Sequence, residues 1–277
     1  MKRRQFVLAS AALAAAPALA AKPARVALVL GGGGCRGYGH LGVLRVLEKH
    51  RLIPDLVVGS SAGSLVGALF AAGYPVETIE ALGDRMSPNM LRDWIFPRLG
   101  VFSGAGIARF VREQIGARSI ESLPIRFAAV ATDLRTGAAV VLERGEVGVA
   151  VQASSSAPGL LEPVKLDGRL LVDGNLAAPV PVDLARGLGA SKVLSVDVSF
   201  PPEQANLEDA FDALYQGFSI LTRKLALEER ARADVSIAPD IPMHHAMSAR
   251  VIGEHIEAGE LAALEVLPRL RALFAAS

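Results

Sequence analysis

Twice near its start the chain runs a short apolar, β-branched segment into a cluster of small residues and straight out into a helical repeat. Residues 25–30 (Arg-Val-Ala-Leu-Val-Leu) end in Gly31-Gly32-Gly33-Gly34, and Leu41, Val43, Leu44, Val46 and Leu47 follow at helical spacing within residues 40–50. Leu56-Val57-Val58 then meets Gly59-Ser60-Ser61-Ala62-Gly63, and a helical pattern over residues 65–72 stops at Gly73 and Pro75. A continuous apolar run with no alternation is a strand buried on both faces, as in parallel sheets. More such runs fall at residues 127–132, 139–142 (after a turn around Arg135-Thr136-Gly137), 193–198 and 235–237, with helical stretches at 207–232 and 249–274. Alternation of this kind predicts a three-layer α/β/α sandwich with a mostly parallel central sheet and right-handed crossovers.

With 51% apolar and 21% charged residues over 277 positions, the chain can bury a large core and is not of disordered composition. No repeat or linker divides it, since Pro201-Pro202 reads as the end of a strand, so residues 21–277 are expected to form one domain. Its motif core spans 25–200, and its closing helices lie within 205–275. A formal net charge of +1 carries no footprint for nucleic acid. A single cysteine, Cys35, excludes an internal disulfide framework and any multi-cysteine metal site.

Residues 1–20 read as an export signal. Lys2, Arg3 and Arg4 precede an apolar stretch over 6–16, and Ala18-Leu19-Ala20 is a small-x-small cleavage pattern. Arg3-Arg4 also fits a twin-arginine signal. The apolar stretch is too short to span a bilayer and is followed by Pro17. Cleavage after Ala20 would take the formal charge from +1 to −2 and leave a periplasmic or secreted protein.

Three motifs carry chemistry. Gly31-Gly32-Gly33-Gly34-Cys35-Arg36-Gly37 sits between strand and helix, where backbone N–H groups and a helix N-terminus make a site for a phosphate or an oxyanion. Gly32, Gly34 and Gly37 also match a dinucleotide fingerprint. Asp55, however, lies before the second strand, not at its end, and no P-loop lysine is present. Gly59-Ser60-Ser61-Ala62-Gly63 has the G-x-S-x-G form of a nucleophile elbow, with Ser61 centred between the glycines. In Val172-Asp173-Gly174-Asn175, the preceding Asp167-Gly168 turn predicts a hairpin of residues 163–166 with 169–172 that delivers Asp173 at a strand end.

A serine nucleophile needs a base. His40 and His50 belong to the first helix and read as core or surface residues. His244, His245 and His255 follow Asp173 in the order of an α/β-hydrolase Ser-Asp-His triad, so an esterase of that type stays open, with Asp133 a rival carboxylate. A phosphate-binding module with an inert serine is the non-enzymatic alternative.

Taken in order over residues 25–200, these motifs resemble the patatin-like phospholipases. The resemblance implies a Ser61–Asp173 dyad without histidine, supported by Gly59, Gly63 and Gly174. It implies an oxyanion hole built by Gly32, Gly33, Gly34, Arg36 and Gly37, with Ala62 as the residue after the nucleophile. Arg36 would either meet a substrate phosphate or fix the glycine loop. Residues 153–159 and 175–182, with Pro179 and Pro181, match the family's segments around the aspartate, while Asn175 departs from its D-G-G/A pattern. The implied substrate is an acyl lipid, phospholipid or lysophospholipid, hydrolysed with neither metal nor cofactor. Residues 88–104, around Trp94, read either as a lid or membrane-facing rim or as a loop packed on the domain. Cys35 reads as a small filler in the glycine loop.

Overall fold

A computed structural model describes residues 24–83, 99–205, 207–242 and 248–275. Residues 1–20, Trp94 with most of the segment 88–104, and His244-His245 lie outside them. In chain order the fold opens with β1 (Ala24–Leu30), α1 (Gly39–Lys49), β2 (Leu56–Ser60), α2 (Ala62–Ala71) and α3 (Val76–Gly83). There follow β3 (Gly100–Phe102), α4 (Ala105–Ile115), β4 (Arg126–Asp133), β5 (Ala139–Leu142) and α5 (Val147–Ser154). After β6 (Gly159–Leu161), the hairpin of β7 (Val164–Leu166) and β8 (Arg169–Asp173) leads to α6 (Val182–Gly187) and β9 (Ala190–Val196). The chain closes with α7 (Ala210–Arg230), β10 (Val235–Ile237), α8 (Ala249–Glu265) and α9 (Leu267–Ala275).

Strands β10, β9, β1, β2 and β4 run parallel in that spatial order. β5 and the β7–β8 hairpin add antiparallel pairs at the β4 end. Side-chain alternation splits the core into two layers. Leu28, Leu30, Val57 and Ala129 face a thick layer that includes Leu41, Leu69, Phe110, Val151 and Ile256. Ala27, Val29, Val58 and Val130 face a thinner one with Val182, Ala185 and Ala226. Each fully buried Leu or Val contributes about 1.5–3 kcal/mol, which is why β1, β2 and β4 are apolar through their middles, while the buried Ser195 hydroxyl of β9 is bonded to Ser236. Helix α8 lies so close to α1 that a Cβ on Gly42 would stand 1.9 Å from the Ile256 carbonyl oxygen.

The expected three-layer architecture is present. The single helix read over residues 249–274 is instead two: α8 ends at Glu265, and Pro268, with no N–H to donate, falls in the first turn of α9. The β3–β6 pair, which takes up Gly100–Phe102 of the segment read either as a lid or rim or as a packed loop, was not legible because three-residue strands carry no period.

Candidate active site

The site lies where the sheet changes direction. β2 ends at Ser60, paired with Val130 of β4, while the next β4 residue, Ala131, pairs with Asp173 of antiparallel β8. β5 covers the opposite edge of β4 from Ala129 to Thr132, so β8 occupies the edge that β2 leaves vacant. The residue after β2 and the last residue of β8 therefore meet. Ser61 Oγ donates to Asp173 Oδ2 at 2.7 Å.

Ser61 holds φ 51°, ψ −122°, a left-handed conformation costing a non-glycine residue about 1–3 kcal/mol. Three bonds hold it there. Ser61 N–H donates to Ser154 Oγ at 3.0 Å, and Ser64 N–H and Oγ donate to the Ser61 carbonyl at 2.8 and 2.7 Å. The motif glycines serve close approach: a Cβ on Gly63 would sit 2.1 Å from Leu30 O, and one on Gly174 2.0 Å from Val130 O.

Asp173 is 7% exposed, and burial pushes its carboxyl up to about 6 against the pull of its hydrogen bonds from Asn175 and Ser61. The Asn175 N–H reaches its Oδ1 at 2.8 Å, Asp173 N–H donates to Ser156 O at 2.9 Å, and Thr132 Oγ1 donates to its carbonyl at 2.8 Å. Asn175 thus keeps the backbone turn that a small residue would make. Ser154, Ser156 and Thr132 position the pair; the run Ser154-Ser155-Ser156 was the sequence signal for two of them.

In the glycine loop, Gly31 and Gly32 donate their N–H groups to Val196 O at 2.9 Å and Pro179 O at 3.0 Å. The Gly32 amide is therefore engaged in the fold, contrary to its expected place in an oxyanion hole. Among the described residues the N–H groups of Gly33, Gly34 and Ala62, all beside the cleft, carry no such bond. Arg36, 4% exposed, turns away from it: Nε donates to Val198 O at 3.0 Å, Nη1 to Ile241 O at 2.6 Å, and the guanidinium lies 5.6 Å over the Phe200 ring. Of its two expected roles the geometry fits the fixing of the loop. Gly37 packs against Ala62, where a Cβ would stand 2.8 Å from the alanine methyl. Cys35 is exposed and lines the cleft, so it is no packed filler.

No described histidine touches the pair. His40 is wholly buried, donates Nε2–H to Gly31 O at 2.8 Å, and is pushed down to about 4 by burial. His50 Nδ1 accepts from Arg271, and His255 Nδ1 faces Cys35 O at 3.3 Å. The Asp133 carboxylate accepts the Arg135 N–H in a turn. Asp55 accepts Val26 N–H near the start of β1, the end remote from the glycine loop, which removes the ribose contact a dinucleotide site would need.

Over Ser61 and Asp173 opens a cleft of about 610 Å³ with walls including Leu65, Ile107, Leu160, Leu176, Phe200 and Ile252. An apolar hollow with a serine, a carboxylate and, among the described residues, unengaged backbone amides at its floor can receive a carbonyl attached to an apolar chain.

The sequence pattern of the patatin-like phospholipases matches residues 28–186. An uncharacterised NTE family protein of Mycobacterium tuberculosis is 37% identical over 177 residues, which cover 63% of this chain and 49% of that one. The human patatin-like phospholipase domain-containing protein 6 is 33% identical over 208 residues, covering 72% of this chain and 15% of the relative. This chain belongs to the patatin-like phospholipase family. It spans about half the length of the mycobacterial relative and a smaller part of the human one. Among solved structures, VipD from Legionella pneumophila superimposes with a TM-score of 0.61 at 13% identity, over 89% of this chain and 67% of that one. A chain of the ExoU–SpcU complex of Pseudomonas aeruginosa gives 0.51 at 16% identity, over 90% and 53%. Both share the fold.

Proposed function

We propose that the protein is a serine lipid acyl hydrolase, of phospholipase A or lysophospholipase type, working through a Ser61–Asp173 dyad. The observation that carries this reading is the 2.7 Å hydrogen bond from Ser61 Oγ to Asp173 Oδ2 at the floor of an apolar cleft. Family membership supports a lipid as the acyl donor.

Ser61 Oγ attacks the ester carbonyl carbon while its proton passes to Asp173. The oxyanion is held by the N–H groups of Gly33, Gly34 and Ala62, each such donor being worth roughly 3 kcal/mol in the transition state. Ser61's own amide takes no part, being bonded to Ser154. Collapse breaks the ester C–O bond, and Asp173 returns the proton to the departing alcohol. Water then attacks the acyl-serine, losing its proton to Asp173, and the fatty acid leaves as Ser61 recovers a proton. A carboxylate of ordinary acidity is a weak base at neutral pH; one raised to about 6 by burial is better matched to the task.

The test is twofold: labelling of Ser61 by a fluorophosphonate, and release of fatty acid from phospholipid and lysophospholipid. Both are expected for the wild type and for neither Ser61→Ala nor Asp173→Ala. Saturable nucleotide binding without labelling would sink the reading. We propose further that residues 21–277 act as one unit exported by the signal at 1–20. Ala21 as the first residue of protein recovered from the periplasm would bear this out, and cytoplasmic protein beginning at Met1 would refute it.

A further inference from the structure

Helix α7 is built inside out. The positions it turns into the protein are Ser219, Thr222, Ala226 and Glu229, and what fastens them is largely polar. Arg223 and Arg230 both pair with the fully buried carboxylate of Asp197, at 2.9 and 3.0 Å. Glu229 Oε2 accepts the Val180 N–H at 2.7 Å, and Gln216 donates to Pro202 O at 2.8 Å. The outward positions are apolar: Leu214 is 61% exposed, Leu221 63% and Ile220 51%, with Phe218, Leu225 and Leu227 alongside. Lys224 and Glu228 are the charged residues among the exposed positions from 213 to 228. A surface helix ordinarily shows the reverse arrangement.

This face runs into the rim of the cleft. Tyr215, Phe218, Ser219 and Thr222 line the hollow above Ser61 and Asp173, and Tyr215 meets Phe200 edge to face with centroids 6.3 Å apart. Phe218 and Tyr215 thus belong both to the cleft wall and to the exposed apolar surface.

We propose that the outward face of α7 beds the protein on a lipid surface with the mouth of the cleft turned toward the acyl chains. The proposal rests on the acyl-hydrolase reading. An acyl chain that left its aggregate through water would expose every methylene on the way. An apolar face continuous with the cleft wall lets it pass without doing so. A second copy of the chain seated on the same face would cover Tyr215 and Phe218 and stopper the opening. Anchorage through half-buried arginines on the buried Asp197 carboxylate leaves the leucines free to point outward without loosening the helix.

The test uses the pair Leu221→Asp and Leu225→Asp, neither of which lines the cleft. In a Ser61→Ala background, which separates binding from turnover, the protein is expected to co-sediment with vesicles of phosphatidylcholine and phosphatidylglycerol. The double substitution lowers the bound fraction at least tenfold. With Ser61 restored, it leaves kcat/KM on a soluble short-chain ester within twofold of wild type and lowers hydrolysis in vesicles tenfold or more. Equal sedimentation of both proteins overturns the proposal, as does a wild type that is dimeric in solution and made monomeric by the substitutions. Leu221→Trp with Trp94→Phe, Trp94 being the single tryptophan, keeps the face apolar. Its emission should shift to the blue on vesicles and be quenched by brominated lipid; no shift also overturns the proposal. Vesicle binding is read without catalysis, so loss of the acyl-hydrolase reading would show separately, as absent fluorophosphonate labelling.

Discussion

Ser60 and Asp173 end two strands that approach each other head-on along one edge of β4, paired with the consecutive residues Val130 and Ala131. That juxtaposition lets one serine hydroxyl face one carboxylate with no third residue between them.

If Asp173 is the base, Asp173→Asn should lower kcat/KM on a soluble ester by about 10²–10⁴-fold while leaving the fold intact. His244→Ala and His245→Ala should each stay within a few-fold of wild type. Steady-state kinetics on purified variants decides this, and collapse in either histidine variant would point to a triad.

The Asp173 carboxyl, raised from 3.8 to about 6 by burial, makes activity and stability respond to pH in opposite ways. The base works deprotonated, so kcat/KM should climb as pH passes 6 and level off above it. The fold favours the protonated form. Its contribution to stability is therefore complete below pH 4 and is lost as pH rises through 6, a cost of up to about 3 kcal/mol at neutral pH. Asp173→Asn should accordingly raise the melting temperature at pH 8, with the gain vanishing near pH 4, as thermal denaturation across that range will report.

Gly63 and Gly217 should respond oppositely to alanine. A Cβ at Gly63 would meet Leu30 O at 2.1 Å, whereas nothing lies within 4 Å of one at Gly217 in α7. Gly63→Ala is expected to destabilise by roughly 1–3 kcal/mol and to slow fluorophosphonate labelling by displacing Ser61. Gly217→Ala should stabilise by roughly 0.5–1 kcal/mol through helix propensity. Urea denaturation of the two variants measures both.

Arg36 spans Val198 O and Ile241 O with two different nitrogens of one planar group. A lysine cannot reach both, so Arg36→Lys should destabilise by roughly 1.5–3 kcal/mol. As the glycine loop loosens, kcat should fall more than KM rises. An unchanged kcat with raised KM would instead assign Arg36 to substrate binding.

The motif residues were legible in the sequence because their spacing is local. Gly59 and Gly63 two residues either side of Ser61 specify a turn too tight for a Cβ, and Asp167-Gly168 specifies the hairpin that ends at Asp173; their φ values of 47° and 76° are those of its turn. The apolar runs likewise specify doubly buried strands, since an uninterrupted β-branched segment can be satisfied only between two layers. Tertiary structure decided everything that depends on which edge meets which. The placement of β8 beyond β2 on the same edge of β4, the engagement of the Gly32 amide by Pro179, and the turning of Arg36 away from the cleft all join residues distant in the chain. The outward face of α7 belongs with them. Its leucines recur at the spacing of a core-facing helix, and tertiary bonds from its polar side, with the buried carboxylate of Asp197 holding Arg223 and Arg230 and Glu229 holding the Val180 N–H, reverse which side the protein keeps.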